Sequence, residues 1–126
     1  MNRPLNTGTR LLLDYEISRS DISADMIDGY RKEVGRHLDA GLAVLGGNVD
    51  AAPAIKPVAE KLGLDFIPLR WERFDLLISR DRFFEPAVQR FINLLHDPAF
   101  RARAEDYSGY DMSISGRMVY PDNAQL

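Results

Sequence analysis

Leu64-Asp65-Phe66-Ile67-Pro68-Leu69 and, beyond Arg70-Trp71-Glu72-Arg73, Phe74-Asp75-Leu76-Leu77-Ile78 are the runs on which the reading of the fold turns. Both are short, apolar and rich in aromatic and β-branched residues, which predicts two strands. Glu72 and Arg73 between them read either as a solvated turn or as the lining of a hinge. Upstream, Pro57 suits the first position of a helix over residues 58–62, closed by Gly63. Val49-Asp50-Ala51-Ala52-Pro53-Ala54-Ile55 reads as a small-residue strand running into a turn. His37 to Leu45 reads as a helix with Leu38, Leu42 and Leu45 on one side and Gly46-Gly47-Asn48 as its stop. Tyr30 to Val34 is assigned as a further strand, and Thr7 or Gly8 to about Ser18 as the first helix. Leu12, Leu13, Tyr15 and Ile17 are the candidates for that helix's buried side.

Downstream, Pro86 opens a helix in which Val88, Phe91, Ile92 and Leu95 recur at helical spacing, and Asp97-Pro98 starts another that ends near Asp106. Tyr107-Ser108-Gly109-Tyr110-Asp111-Met112-Ser113 is loop-like; Tyr107, Tyr110 and Met112 read either as a stacking platform or as aromatics closing over the core. Helices and strands alternate through the middle of the chain, so the expected class is α/β, a mainly parallel sheet flanked by helices.

A chain of 126 residues makes one domain, and 45% apolar with 28% charged residues is ordinary for a soluble globular protein. The net charge of −3 argues against a nucleic-acid surface, which needs a basic face to displace counterions. With no cysteine there is neither a disulfide framework nor a thiolate metal site. No apolar run is long enough to cross a bilayer, and Met1-Asn2-Arg3-Pro4 does not begin a signal peptide. The expected location is cytoplasmic for the chain as it stands, or periplasmic for a piece of a secreted receptor.

The stretch with the most chemistry is Asn6-Thr7-Gly8-Thr9-Arg10-Leu11-Leu12-Leu13-Asp14. Asn6 or Thr7 is a good N-cap, and the amides left over, with the positive end of the helix dipole, form a natural seat for an anion. Arg3 lies just upstream and Arg10 just inside the helix, and each guanidinium can grip an oxyanion with paired, charge-assisted bonds. The plainer alternative is a cap with solvated arginines beside it. Nothing points to turnover: His37 and His96, the two histidines, sit at helix ends, and Asp14 and Glu16 point to different faces. The expectation is therefore a binding protein and not an enzyme, with no metal site and no resident cofactor.

Four blocks, in order, resemble the periplasmic-binding-protein-like domains related to molybdate and tungstate receptors. They are Asn2-Arg3-Pro4-Leu5-Asn6-Thr7-Gly8-Thr9-Arg10-Leu11-Leu12-Leu13-Asp14; His37-Leu38…Ala43-Val44…Gly47-Asn48-Val49-Asp50-Ala51; Leu62-Gly63-Leu64-Asp65-Phe66-Ile67-Pro68-Leu69 with Glu72-Arg73-Phe74-Asp75-Leu76; and Gly109-Tyr110-Asp111-Met112-Ser113…Gly116-Arg117. The resemblance implies one lobe of a type II binding protein plus C-terminal helices, occupying residues 1–126 with the first lobe absent. It implies a ligand in the cleft, a tetrahedral oxyanion such as molybdate or tungstate, bound by a sensor domain or a transport receptor. Arg3 would match the arginine before the binding turn, and Thr7, Gly8 and Thr9 the turn itself, with Arg10 beside them. Ala52 and Pro53 replace the family's glycine-rich continuation in a second loop facing the ligand. The helices from Pro86 onward would pack on the missing lobe, so an oligomer in which chains cover each other, by exchange of those helices, or a fragment is expected. The alternative function is a structural or regulatory oligomerisation domain that has lost its ligand.

Overall fold

The computed structural model describes residues 1–119, and its regular structure is helical. The helices are α1 (Gly8–Ser18), a 3₁₀ turn at Ala24–Met26, α2 (His37–Leu45), α3 (Lys56–Leu62), α4 (Arg80–Phe83), α5 (Pro86–His96) and α6 (Pro98–Glu105). The chain divides into two compact units, Met1–Leu69 and Arg70–Leu126.

The expected parallel sheet is absent: no strand forms among the described residues. One isolated parallel bridge, Asn2 to Glu33, stands where the 30–34 strand was expected. There the Asn2 N–H donates to the Lys32 carbonyl at 2.7 Å and the Val34 N–H to the Asn2 carbonyl at 3.0 Å, and the ladder goes no further. The runs at 49–55, 64–69 and 74–78 carry no regular structure. Their side chains favour a pleated surface, but a strand exists only when a neighbour accepts its backbone bonds. Pro53 and Pro68 also remove a donor each from two of the runs.

In the first unit, α1 is capped by Thr7, and α3 ends at Gly63 in the left-handed region (φ 65°), the conformation that glycine adopts without strain. The buried side of α2 is not its leucines. Leu38, Leu42 and Leu45 are all more than two-fifths exposed, while Ala40, Gly41 and Ala43 are buried. The reason is close approach of α3: a Cβ on Gly41 would lie 2.6 Å from Val58 Cγ1 and 2.7 Å from Leu62 Cδ1. Only small residues let the two backbones come that near. On α1, likewise, Leu12, Leu13 and Ile17 are half-buried and Tyr15 is exposed, whereas Arg10 is the one buried residue.

The second unit is built from local signals. Pro86 and Pro98 start α5 and α6, and Asp97 caps α6 by accepting from the Phe100 N–H at 2.9 Å. The Arg101 guanidinium ties the following loop down, donating to the carbonyls of Leu95 (3.0 Å) and Ser115 (2.9 Å). Gly116 (φ 81°) admits the His96 ring, whose Nε2 would be 2.5 Å from a Cβ there. No residue of this unit is buried among the described residues. Tyr107 and Tyr110 are exposed and do not close over a core.

Candidate functional site

The N-terminal turn is held from within. Thr7 donates twice to the Pro4 carbonyl, from its backbone N–H at 3.0 Å and from its hydroxyl at 2.8 Å. As the N-cap it also accepts the Arg10 N–H on Oγ1 (3.3 Å), and its carbonyl takes the N–H groups of Arg10 and Leu11 at 3.1 Å. Its hydroxyl proton is therefore committed to the turn. The N–H groups of Gly8 and Thr9 donate to no protein carbonyl among the described residues, and Thr9 Oγ1 likewise makes no hydrogen bond there. These are the orphan donors of a helix start, lying at the positive end of the α1 dipole.

Arg3 is 6% exposed, and Asn2 beside it is 1% exposed. Asn2 fixes that strand of backbone: its Oδ1 accepts the Arg3 N–H at 2.8 Å and its Nδ2 donates to the Tyr30 carbonyl at 3.2 Å. Arg3 Nη1 donates to the Val34 carbonyl at 3.0 Å, while its Nε is buried with no partner among the described residues. A buried guanidinium N–H without an acceptor is costly, and such a donor in a native fold calls for a partner. Asn2 was quoted in the sequence only as part of a motif. Its role as the anchor of Arg3 emerges from long-range contacts that no local pattern announces.

Arg10 has a different destination from the one its position suggested. Its Nε donates to both carboxylate oxygens of Asp14 (2.8 and 3.0 Å), and its Nη1 to the Arg3 carbonyl (3.2 Å) and to Glu33 Oε1 (3.3 Å). The guanidinium lies 4.4 Å from the centre of the Tyr30 ring, and the Tyr30 hydroxyl donates to Asp14 Oδ1. Burial works against its charge, but the bonds with Tyr30 and Asp14 outweigh that and hold its pKa above the usual arginine value. Arg10 is thus the hub of a clamp joining α1 to residues 30–33.

Ala52 and Pro53 are half-buried neighbours in an irregular loop tied to the N-terminus by the Met1 amino group, which donates to the Ala51 carbonyl at 3.4 Å. No hydrogen bond among the described residues links either of them to Arg3, Thr7, Gly8 or Thr9. Two open clefts of about 340 Å³ lie elsewhere: one lined by Leu76, Ile78, Val88 and Phe91, the other by residues of the 24–32 loop. Arg73 pairs with Asp75 at 2.9 Å on the surface, the arrangement of a solvated segment. No group of three or more His, Asp or Glu able to hold a metal ion occurs among the described residues, and none of their helices is long and apolar enough to cross a membrane.

A family profile described as the PBP superfamily domain matches residues 1–96. The chain is 33% identical over 114 residues to an uncharacterized protein encoded in the ferredoxin 2Fe-2S gene 5′ region of Clostridium pasteurianum, covering 86% of this chain and 97% of that protein. It is 25% identical over 119 residues to the uncharacterized protein YvgK of Bacillus subtilis, covering 94% of this chain and 38% of YvgK. No solved structure matches.

Proposed function

The chain belongs to the PBP superfamily, and on that premise we propose that it is a ligand-binding module for a divalent tetrahedral oxyanion, molybdate or tungstate, serving as a sensor domain or a transport receptor. The observation that carries this reading is the unpartnered, buried Arg3 Nε, in the segment that leads into the unengaged amides of Gly8 and Thr9. An oxyanion supplies the acceptors that all of these donors lack, and its two charges suit both a guanidinium and a helix N-terminus. The Thr9 hydroxyl adds a further donor. Thr7 shapes the turn, and Arg10, held by Asp14 and Glu33, positions Arg3 through its bond to the Arg3 carbonyl. Sulfate has the same charge and shape, so selection between these anions rests on size and on the spacing of the donors.

Isothermal titration of the folded chain with molybdate, tungstate and sulfate is the test. Heat for molybdate or tungstate is expected, and Arg3→Met weakens it by about 1.5–3 kcal/mol, the worth of a hydrogen bond to a charged group. Folded protein giving no heat with any of the three overturns the reading.

One observation favours a second reading, a structural or regulatory domain that has lost its ligand: the Thr7 hydroxyl and the Arg10 fork are both committed to protein partners. Its signature is a stable assembly indifferent to oxyanions.

A further inference from the structure

A divalent anion seated on Arg3 meets one full positive charge there, because Arg10 is held by Asp14 and Glu33. A helix start adds only a partial charge. A second cation is called for, and it has to stand where Arg3 reaches. The Arg3 side chain runs to the backbone just ahead of α2: its Nη1 is fastened to the Val34 carbonyl at 3.0 Å, three residues before His37, the first of that helix. The buried Nε without a partner among the described residues belongs to the same planar fork.

Arg36 stands at that entrance. It is the N-cap residue of α2, its side chain makes no cap bond to the helix, and that side chain is 79% exposed. Asp39, in the first turn of α2, accepts from Arg36 Nε at 3.0 Å and from Nη2 at 2.9 Å. The Arg36 guanidinium, and more weakly the charge of Arg3, hold the Asp39 carboxyl below the usual carboxylate range. Two cations and one carboxylate thus share the start of α2. An exposed ion pair one helical turn long is weak and opens at little cost. A divalent oxyanion carries twice the charge of the carboxylate and can take the same fork in the same bidentate way. A monovalent anion of that shape offers no more charge than the carboxylate it must displace.

We propose that Arg36 is the second arginine of the oxyanion site: Asp39 holds its fork while the site is empty and yields it to a divalent oxyanion seated on Arg3, which makes the exchange selective for double charge. This rests on the oxyanion reading above. Isothermal titration of the full chain with molybdate, tungstate and perrhenate, the last a monovalent tetrahedral anion, tests it, with circular dichroism as the check on folding. The wild type should bind a divalent anion and give little heat with perrhenate. Arg36→Gln should weaken the divalent anion roughly tenfold, the worth of a hydrogen bond to a charged group. That loss should persist in about 0.5 M sodium chloride, where charges not in contact are screened. Arg36→Lys keeps the charge without the fork and should recover only part of it. Asp39→Asn keeps the size of the side chain, frees the guanidinium, and should tighten both kinds of anion, perrhenate by the larger factor. Folded wild type giving no heat with either divalent anion overturns the oxyanion reading and this inference together. Binding unchanged in Arg36→Gln, a loss that vanishes in salt, full recovery in Arg36→Lys, or weaker binding in Asp39→Asn overturns this inference alone.

Discussion

In Met1–Leu69 the most deeply buried large side chains are polar: Asn2, Arg3 and Arg10, with Ala40, Ala43 and Ala59 as the apolar remainder. From Arg70 to residue 119 nothing is buried, and Phe74, Leu77 and Phe84 face solvent. The first unit is held by directional bonds between residues far apart in sequence, so each partner in it depends on the others. The second is held by caps, prolines and tethers, the longest of these hydrogen bonds running from Arg101 to Ser115, and none of its described residues is buried. A polar centre of interlocking bonds specifies one arrangement, while a unit assembled from caps and prolines leaves each helix to be supported largely on its own.

The contrast is tested most severely at Arg10. Arg10→Ala leaves Asp14 and Glu33 without their cation beside Tyr30. Breaking a buried pair costs about 3–5 kcal/mol, and with both carboxylates about a third exposed we expect the lower end, about 3 kcal/mol. Denaturant unfolding followed by circular dichroism reads it, and hydrogen exchange should place the loss within residues 1–69.

Next is Gly41→Val, which drives side-chain atoms into Val58 and Leu62 and should destabilise by about 2 kcal/mol, as overpacked cores do. Gly41→Ala should cost less, because the gain in helix propensity of about 1 kcal/mol offsets part of the crowding. Equal midpoints for wild type and Gly41→Val would mean that α2 and α3 are not closely packed.

Asp97→Ala removes the cap of α6 and should cost about 1 kcal/mol. Faster amide exchange confined to α6, with residues 1–69 unchanged, sharpens the distinction between local and long-range support; a loss spread through residues 1–69 erases it. The smallest effect concerns Asp39, whose carboxyl the Arg36 guanidinium holds below the usual carboxylate range. A depressed folded value means that its contribution is present above the ordinary carboxylate pKa and lost as pH falls through the lowered one. An NMR titration should find the Asp39 midpoint below that of an unpaired aspartate, and Arg36→Gln should return it.

Five helices were legible because their signals are local: Thr7 before α1, Gly46-Gly47 after α2, Gly63 after α3, and Pro86, Asp97 and Pro98 around α5 and α6; the short α4 and the 3₁₀ turn at Ala24–Met26, which have no side-chain cap, were not read. Of the candidate site, the turn capped by Thr7 and the candidacy of Arg3 were read from the same stretch; that Arg3 is buried was not. That Asn2 is tied to Tyr30 and that Arg10 reaches Glu33 could not, since those partners lie 28 and 23 residues away; the pairs Thr7–Pro4 and Arg10–Asp14 are local, but which donor each group commits depends on the long-range contacts around them. The leucines of α2 misled because helical periodicity identifies an apolar stripe, whereas the distance to α3 decides which side can fit.

By itself, then, the sequence determined where the capped and proline-started helices begin and end, since a cap, a proline or a glycine acts on backbone groups within one turn. Only the tertiary structure decided whether extended runs find partners and which arginine is left with an unfilled donor. Both depend on groups brought together from distant points of the chain, and a ladder or an ion pair exists only when its second half arrives.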